Sequence, residues 1–299
     1  MTAAAPPEWA TRRERGAVPL IRAIVWIALR LGRPAAQLLL YPICAYYVIV
    51  AGASRRASRQ YLSRALGRSP SLADVFRHFL CFGTCVLDRV FLLNDQTQLF
   101  DIRIEGEDIV LDILRRGGGC ILVGAHFGSF EVARALGRRQ PNLRISLVMY
   151  EENARKIRAA LTAINPRLAM DVIGLGCSDS MIAVRERLEE GQFVGMLADR
   201  SVGGEERIRY PFLGSEAAFP AGPFRIALLL QRPVVLMCGT YHGGRHYEVR
   251  FERLIDPAFP AASNREGDVR QAVQRYVARL ERYCREAPYN WFNFYDFWA

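Results

Sequence analysis

The sequence predicts an α/β fold: a mostly parallel central sheet with helices on both faces, preceded by an apolar helical segment that associates with a membrane. Three observations predict it. From residue 102 onward, short apolar runs alternate with longer stretches of helical periodicity, the pattern of βαβ units. The run 120–123 carries no charge, as a strand buried on both faces requires. Residues 35–53 are also free of charge, long enough to cross a bilayer if helical.

Taken in order, residues 1–16 are polar, with Arg12, Arg13 and Arg15, and no small-residue cleavage site follows at signal-peptide distance. Residues 17–31 are apolar apart from Arg22 and Arg30, and Gly32-Arg33-Pro34 interrupts them. The uncharged run 35–53 contains Pro42, which predicts a kink. Arg55, Arg56, Arg59, Arg64 and Arg68 follow. Basic flanks around apolar sequence suit a hairpin dipping into the cytoplasmic leaflet or a single span. A buried hairpin of a soluble protein is the competing reading, but the run lacks the polar face of an ordinary surface helix. We therefore divide the chain into a membrane-associating segment, 1–70, and one α/β domain, 71–299.

Residues 71–93 read as a helix with Ser71 as N-cap and Asp74 in its first turn. Residues 102–105 read as a strand, 107–115 as a helix, and 117–119 as a glycine turn without a phosphate-loop continuation. The strand 120–123 leads to a helix at 128–136. A strand at 143–149 precedes a helix at 151–164, which Pro166 closes. Val172 and Ile173 form a short strand, 179–189 a helix ended by Gly191, and 193–197 a strand. Strands at 234–237 and 247–251 and a long helix at 269–286 complete the chain.

The net charge is +10, and Lys156 is the only lysine. A phosphate loop of the Gly-Lys-Ser/Thr type is therefore excluded, and a Schiff base has one candidate. The arginines are spread along the chain with no nucleic-acid module, which leaves anionic lipid or an acidic carrier protein as partners. Seven cysteines, an odd number without Cys-x2-Cys spacing, read as reduced small hydrophobes.

The candidate chemistry centres on Ile121-Leu-Val-Gly-Ala-His126-Phe-Gly-Ser-Phe-Glu131. His126 follows a strand, and Gly124 and Gly128 bracket it, letting backbone and substrate approach closely. On one continuous helix, positions five apart point about 140° away from each other. With His126 in the turn before the helix, its imidazole folds back onto Glu131. A carboxylate there fixes the tautomer and stabilises the imidazolium of a general base. His126, Tyr150 and Asp199 each fall just after a strand end, so they share the rim where such sheets bind ligands. His78 lies within a helix, and His242 and His246 flank a Gly243-Gly244 turn, so these three read as structural. No Gly-x-Ser-x-Gly is present, and Ser129 reads as a helix cap. Gly222 and Pro223 open a helix whose N-terminus suits an anion or oxyanion, or is a plain loop-to-helix turn.

His-x4-Glu after an apolar strand, Leu197-Ala-Asp199-Arg200, Pro211-Phe-Leu-Gly214 with Phe219-Pro-Ala-Gly222-Pro223, and Pro288-x-x-Trp291-Phe292 resemble the lipid A biosynthesis (late, secondary) acyltransferase family. The resemblance implies a glycerol-phosphate-acyltransferase-like fold and transfer of a fatty acyl group from an acyl thioester to a lipid hydroxyl. It implies His126 and Glu131 as catalytic residues and Asp199 near donor or acceptor. Arg200 contacts a phosphate or holds Asp199, and Arg155 or Arg158 matches a functional arginine of the family. The implied donor is acyl carrier protein, with coenzyme A as the alternative. No metal or redox cofactor is implied, and the location is the cytoplasmic face of the cell inner membrane. The tail Asn293-Phe-Tyr295-Asp296-Phe-Trp298 departs from the family by having no basic residue after Arg285. The expected acceptor is therefore a hydroxylated lipid or lipid-like pigment rather than lipid A alone. Two other readings are a glycerol-phosphate or lysophospholipid acyltransferase and a non-enzymatic lipid-binding membrane protein. The former typically carries Pro-Glu-Gly-Thr where this chain has Pro220-Ala-Gly222-Pro223, and an intact His126/Glu131 pair counts against the latter.

Overall fold

The computed structural model describes residues 18–133, 137, 140, 143–150, 172–175, 179–200, 206–256 and 265–299, with backbone alone at 18–24, 150 and 265. Its centre is a seven-stranded sheet. The strands are β1 (Asp101–Glu105), β2 (Cys120–Gly124), β3 (Ile145–Tyr150), β4 (Val172–Leu175), β5 (Phe193–Leu197), β8 (Val234–Gly243) and β9 (His246–Ile255), in the order β1-β9-β8-β2-β5-β3-β4. Every neighbouring pair is parallel except the β8–β9 hairpin, so the sheet is mostly parallel as expected. All five residues of β2 are buried, which explains its uncharged sequence. Residues 207–220, for which the sequence predicts no element, form a two-stranded ribbon, β6 (Arg207–Phe212) and β7 (Ser215–Pro220).

Helices α1 (Val18–Val50), α2 (Gly52–Leu66) and α3 (Leu72–Leu93) precede the sheet. α4 (Glu107–Arg115), α5 (Asp179–Glu189), α6 (Gly222–Leu229) and α7 (Arg265–Glu286) pack around it. Arg55, Arg56, Arg59 and Arg64 of the arginine cluster lie on α2, and Arg68 follows its end. Gly32, at φ 81°, breaks α1 where the sequence predicts an interruption. Ser71 caps α3 through a reciprocal pair: its Oγ accepts from the Asp74 N–H at 3.1 Å, and its own N–H donates to Asp74 Oδ2 at 2.8 Å.

α1 is long and apolar enough over Val25–Val50 to cross a membrane. Its Val25, Ala28, Ala36, Leu40, Cys44 and Val48 are buried, while Trp26, Leu31, Leu38, Tyr46 and Ile49 are exposed. A buried ion pair joins α1 to α3, with Arg33 Nε donating to Asp88 Oδ1 at 2.6 Å and Arg33 also donating to the Gly244 carbonyl. Arg33, read from sequence only as part of an interruption, thus ties α1 to the sheet's hairpin. The six described cysteines are all buried and unbridged.

Candidate active site

The site begins where β2 and β5 end side by side. Gly124 is in register with Leu197, and the Ala198 N–H donates to the Gly124 carbonyl at 2.9 Å. Two residues beyond each paired end stand His126 and Asp199. Asp199 is fully buried and accepts three hydrogen bonds. Its Oδ1 meets His126 Nδ1 at 2.9 Å, and its Oδ2 takes the His126 N–H at 3.1 Å and Trp291 Nε1–H at 3.0 Å. Asp199 thereby holds both the ring and the backbone of the histidine. With Nδ1 committed, the ring presents Nε2 outward, and among the described residues Nε2 has no partner. The His126 side chain keeps 36% of its surface exposed in a recess otherwise dense with protein.

The sequence places Glu131 on the imidazole; the structure places Asp199 there. Glu131 instead pairs with Arg89 Nε at 2.6 Å and accepts from Ser129 Oγ at 3.2 Å. The reason is local. After His126 the backbone does not enter a helix: Gly128 takes a left-handed φ that no α-helical residue has, and its N–H and that of Ser129 donate to the Asn290 and Gly239 carbonyls, both at 2.8 Å. Among the described residues of the expected helix, 131–133 form a 3-10 turn, and residues 134–136 lie outside the described residues. Gly128 sits at φ +55°, and a Cβ there would lie 1.8 Å from the Gly239 carbonyl oxygen.

The C-terminal segment closes the site from the other side. Phe292 N–H donates to the His126 carbonyl at 2.7 Å, and Asn290 bonds both N–H and carbonyl of Tyr241. His78 Nε2 meets the Trp291 carbonyl and its Nδ1 meets Ser58 Oγ, both at 2.8 Å, so His78 is structural as expected. Burial pushes its imidazole down to about 4. His242 faces Glu248 at 3.3 Å and His246 faces Asp101 at 2.9 Å, both away from the recess.

The electrostatics favour a neutral imidazole beside an ionised carboxylate. Burial, then the Arg200 guanidinium, lower the His126 proton affinity below its ordinary value, against the opposing pull of Asp199, and Arg89 adds to the lowering. Burial alone would raise Asp199, but His126 and Arg200 outweigh it and hold the carboxyl well below the usual carboxylate range. Arg200 donates to the Phe292 carbonyl at 2.6 Å and lies over the Tyr295 ring at 5.1 Å. A neutral ring with one nitrogen oriented by a buried carboxylate and the other open is able to take a proton from a hydroxyl.

Of the residues singled out from sequence, the structure brings His126, Asp199 and Arg200 together and sets Glu131 alongside through Arg89. Gly222 opens α6, where an added Cβ would meet nothing within 4 Å, and it shares no hydrogen bond with His126 or Asp199 among the described residues. Arg155, Arg158 and the Tyr150 side chain lie outside the described residues. Sequence reasoning missed Arg89 and the part played by Trp291. Arg89 carried a signal, a lone cation in the apolar C-terminal half of a helix; the indole of Trp291 carried none beyond its place in a motif.

A family model described as bacterial lipid A biosynthesis acyltransferase matches residues 16–299, nearly the whole chain. No curated protein matches it.

Proposed function

This chain belongs to the bacterial lipid A biosynthesis acyltransferase family, and from that premise we propose that His126 is its general base, oriented by Asp199. The family makes the protein an enzyme that transfers an acyl group to a lipid acceptor. In the proposed reaction, a lipid hydroxyl donates its proton to His126 Nε2 as its oxygen attacks the carbonyl carbon of an acyl thioester. A C–O bond forms, the C–S bond breaks, and the proton passes to the leaving sulfur. Asp199, kept ionised, holds the Nδ1–H tautomer and stabilises the transient imidazolium. Arg200 supplies the nearest fixed positive charge for the developing oxyanion. Glu131 acts at one remove, holding Arg89 beside the recess.

The observation that carries this reading is the 2.9 Å contact between His126 Nδ1 and the fully buried Asp199 at the ends of two adjacent strands. The donor we infer is an acylated carrier protein, with acyl-coenzyme A as the lesser substrate, because a net charge of +10 without a nucleic-acid module suits an acidic carrier. The enzyme works at the cytoplasmic face of the inner membrane, held there by α1. The test is to incubate purified enzyme with isotope-labelled acyl carrier protein and bacterial membranes, and to follow lipids by mass spectrometry. The reading predicts an ester-linked acyl gain on a hydroxylated lipid and no acyl group retained on the protein. Label trapped on Ser129 or a cysteine would overturn direct attack.

A further inference from the structure

One face of α3 is not explained by the fold. Phe82, Val86 and Arg89 recur at i, i+4 and i+7 and share that face. Phe82 is 40% and Val86 41% exposed, whereas Cys81, Cys85, Leu87, Asp88 and Val90 on the remaining faces are buried. Both ends of the stripe connect to the segment that carries the histidine, one through Phe292 and the other through Glu131. Phe82 packs edge-on against Phe292 at 5.2 Å between ring centroids, and the Phe292 N–H donates to the His126 carbonyl. Arg89 pairs with Glu131, five residues after His126. Val86 lies between. A track about 10 Å long, apolar for most of its length, therefore runs beside the recess. A further exposed apolar side chain, Leu197, ends β5 two residues before Asp199.

We propose that this face of α3 is the subsite for the acyl chain of the thioester donor, bounded at one end by the Arg89–Glu131 pair. The inference rests on the reading of His126 as the base of acyl transfer. The thioester carbonyl has to come within about 3.5 Å of the oxygen that His126 deprotonates. The first methylenes of the donor chain must then lie against exposed apolar surface near His126, and the stripe of Phe82 and Val86, joined to His126 through Phe292, is the surface offered there. The acceptor presents only its hydroxyl at that point. A bilayer pressed on the stripe would have to bury the Arg89 guanidinium, whose side chain is 40% exposed.

The test compares kcat/KM for a short and a long saturated acyl chain on the same carrier protein, in wild type, Val86→Trp and Val86→Asn. Both substitutions fall on a side chain that is 41% exposed, and thermal unfolding checks that they fold. A half-covered methylene displaced from apolar contact costs about twofold in binding. Val86→Trp is therefore expected to lower the long-to-short ratio on the order of tenfold by displacing several methylenes. Val86→Asn should lower it in the same direction by a smaller factor. An unchanged ratio overturns the proposal, and so does weakened binding to vesicles with the ratio intact. A response that follows the acceptor's tail length instead also overturns it. Failure of the underlying reading shows separately, as retained turnover in His126→Ala with either donor.

Discussion

Replacing Asp199 with Asn is expected to cost about a thousand- to ten-thousand-fold in kcat with the fold retained. Asp199 meets three N–H groups, two on Oδ2 from the His126 backbone and Trp291 and one on Oδ1 from the ring. An amide offers one acceptor oxygen and one donor nitrogen. With its oxygen in place of Oδ2, the Asn keeps the two bonds to backbone and indole, and its NH2 then faces Nδ1. The ring must present a lone pair there, which moves its proton to Nε2 and removes the base. In the opposite orientation the NH2 confronts two buried N–H groups, each left unsatisfied at about 1–3 kcal/mol, so the unreactive tautomer prevails. The loss corresponds to about 4–5.5 kcal/mol of barrier. The assay is the single-turnover rate of transfer from acyl carrier protein to the membrane acceptor, run beside thermal unfolding. A folded Asp199→Asn enzyme within tenfold of wild type would refute the assignment of Asp199 as the ring's orienting partner.

Glu131→Gln should lose activity, by about tenfold, because it removes the charge of the ion pair with Arg89 and leaves the His126–Asp199 contact in place. A loss equal to that of Asp199→Asn in the same assay would return Glu131 to the imidazole. Gly128→Ala should destabilise the fold by about 3 kcal/mol or more, read by denaturant unfolding, since its Cβ would collide with the Gly239 carbonyl at a positive φ. His78 supplies a pH dependence. Its folded value of about 4 lies below the ordinary 6.5, so the unfolded chain binds more protons between them. The resulting stability, about 3 kcal/mol, is present above pH 6.5 and is lost as the pH falls toward 4. His78→Phe should flatten that part of the stability profile.

The strands were legible where apolar runs ended at glycine or charge, and β2 and β5 fall within a residue of their expected limits. His126 was legible for the same reason, standing just past an uncharged strand. Its true partner was not. Asp199 is 73 residues away, and only the parallel register of β2 with β5 brings the two side by side. Glu131 attracted the assignment because it is near in sequence, where spacing is the one geometry a sequence offers. In the expected helix, residues 128–130 are not helical and 131–133 form a 3-10 turn, because Gly128, held against β8 and the C-terminal segment, takes a left-handed φ. The same long-range contacts hid the role of Trp291. The ribbon of β6 and β7 went unread because Pro211, Gly214 and Pro220 mark turns as readily as strands.

The central claim is that His126 removes the acceptor's proton, and His126→Ala tests it most directly. The variant should fold, since the ring's contact with Asp199 is one of three that hold the carboxylate. Single-turnover transfer from acyl carrier protein to the lipid acceptor should fall by about a hundred- to ten-thousand-fold. The wild-type rate is expected to have an acid limb set by His126, below the ordinary imidazole value, and the residual rate of the variant should lack it. A folded His126→Ala enzyme that turns over near the wild-type rate, with the same pH dependence as the wild type, would contradict the account.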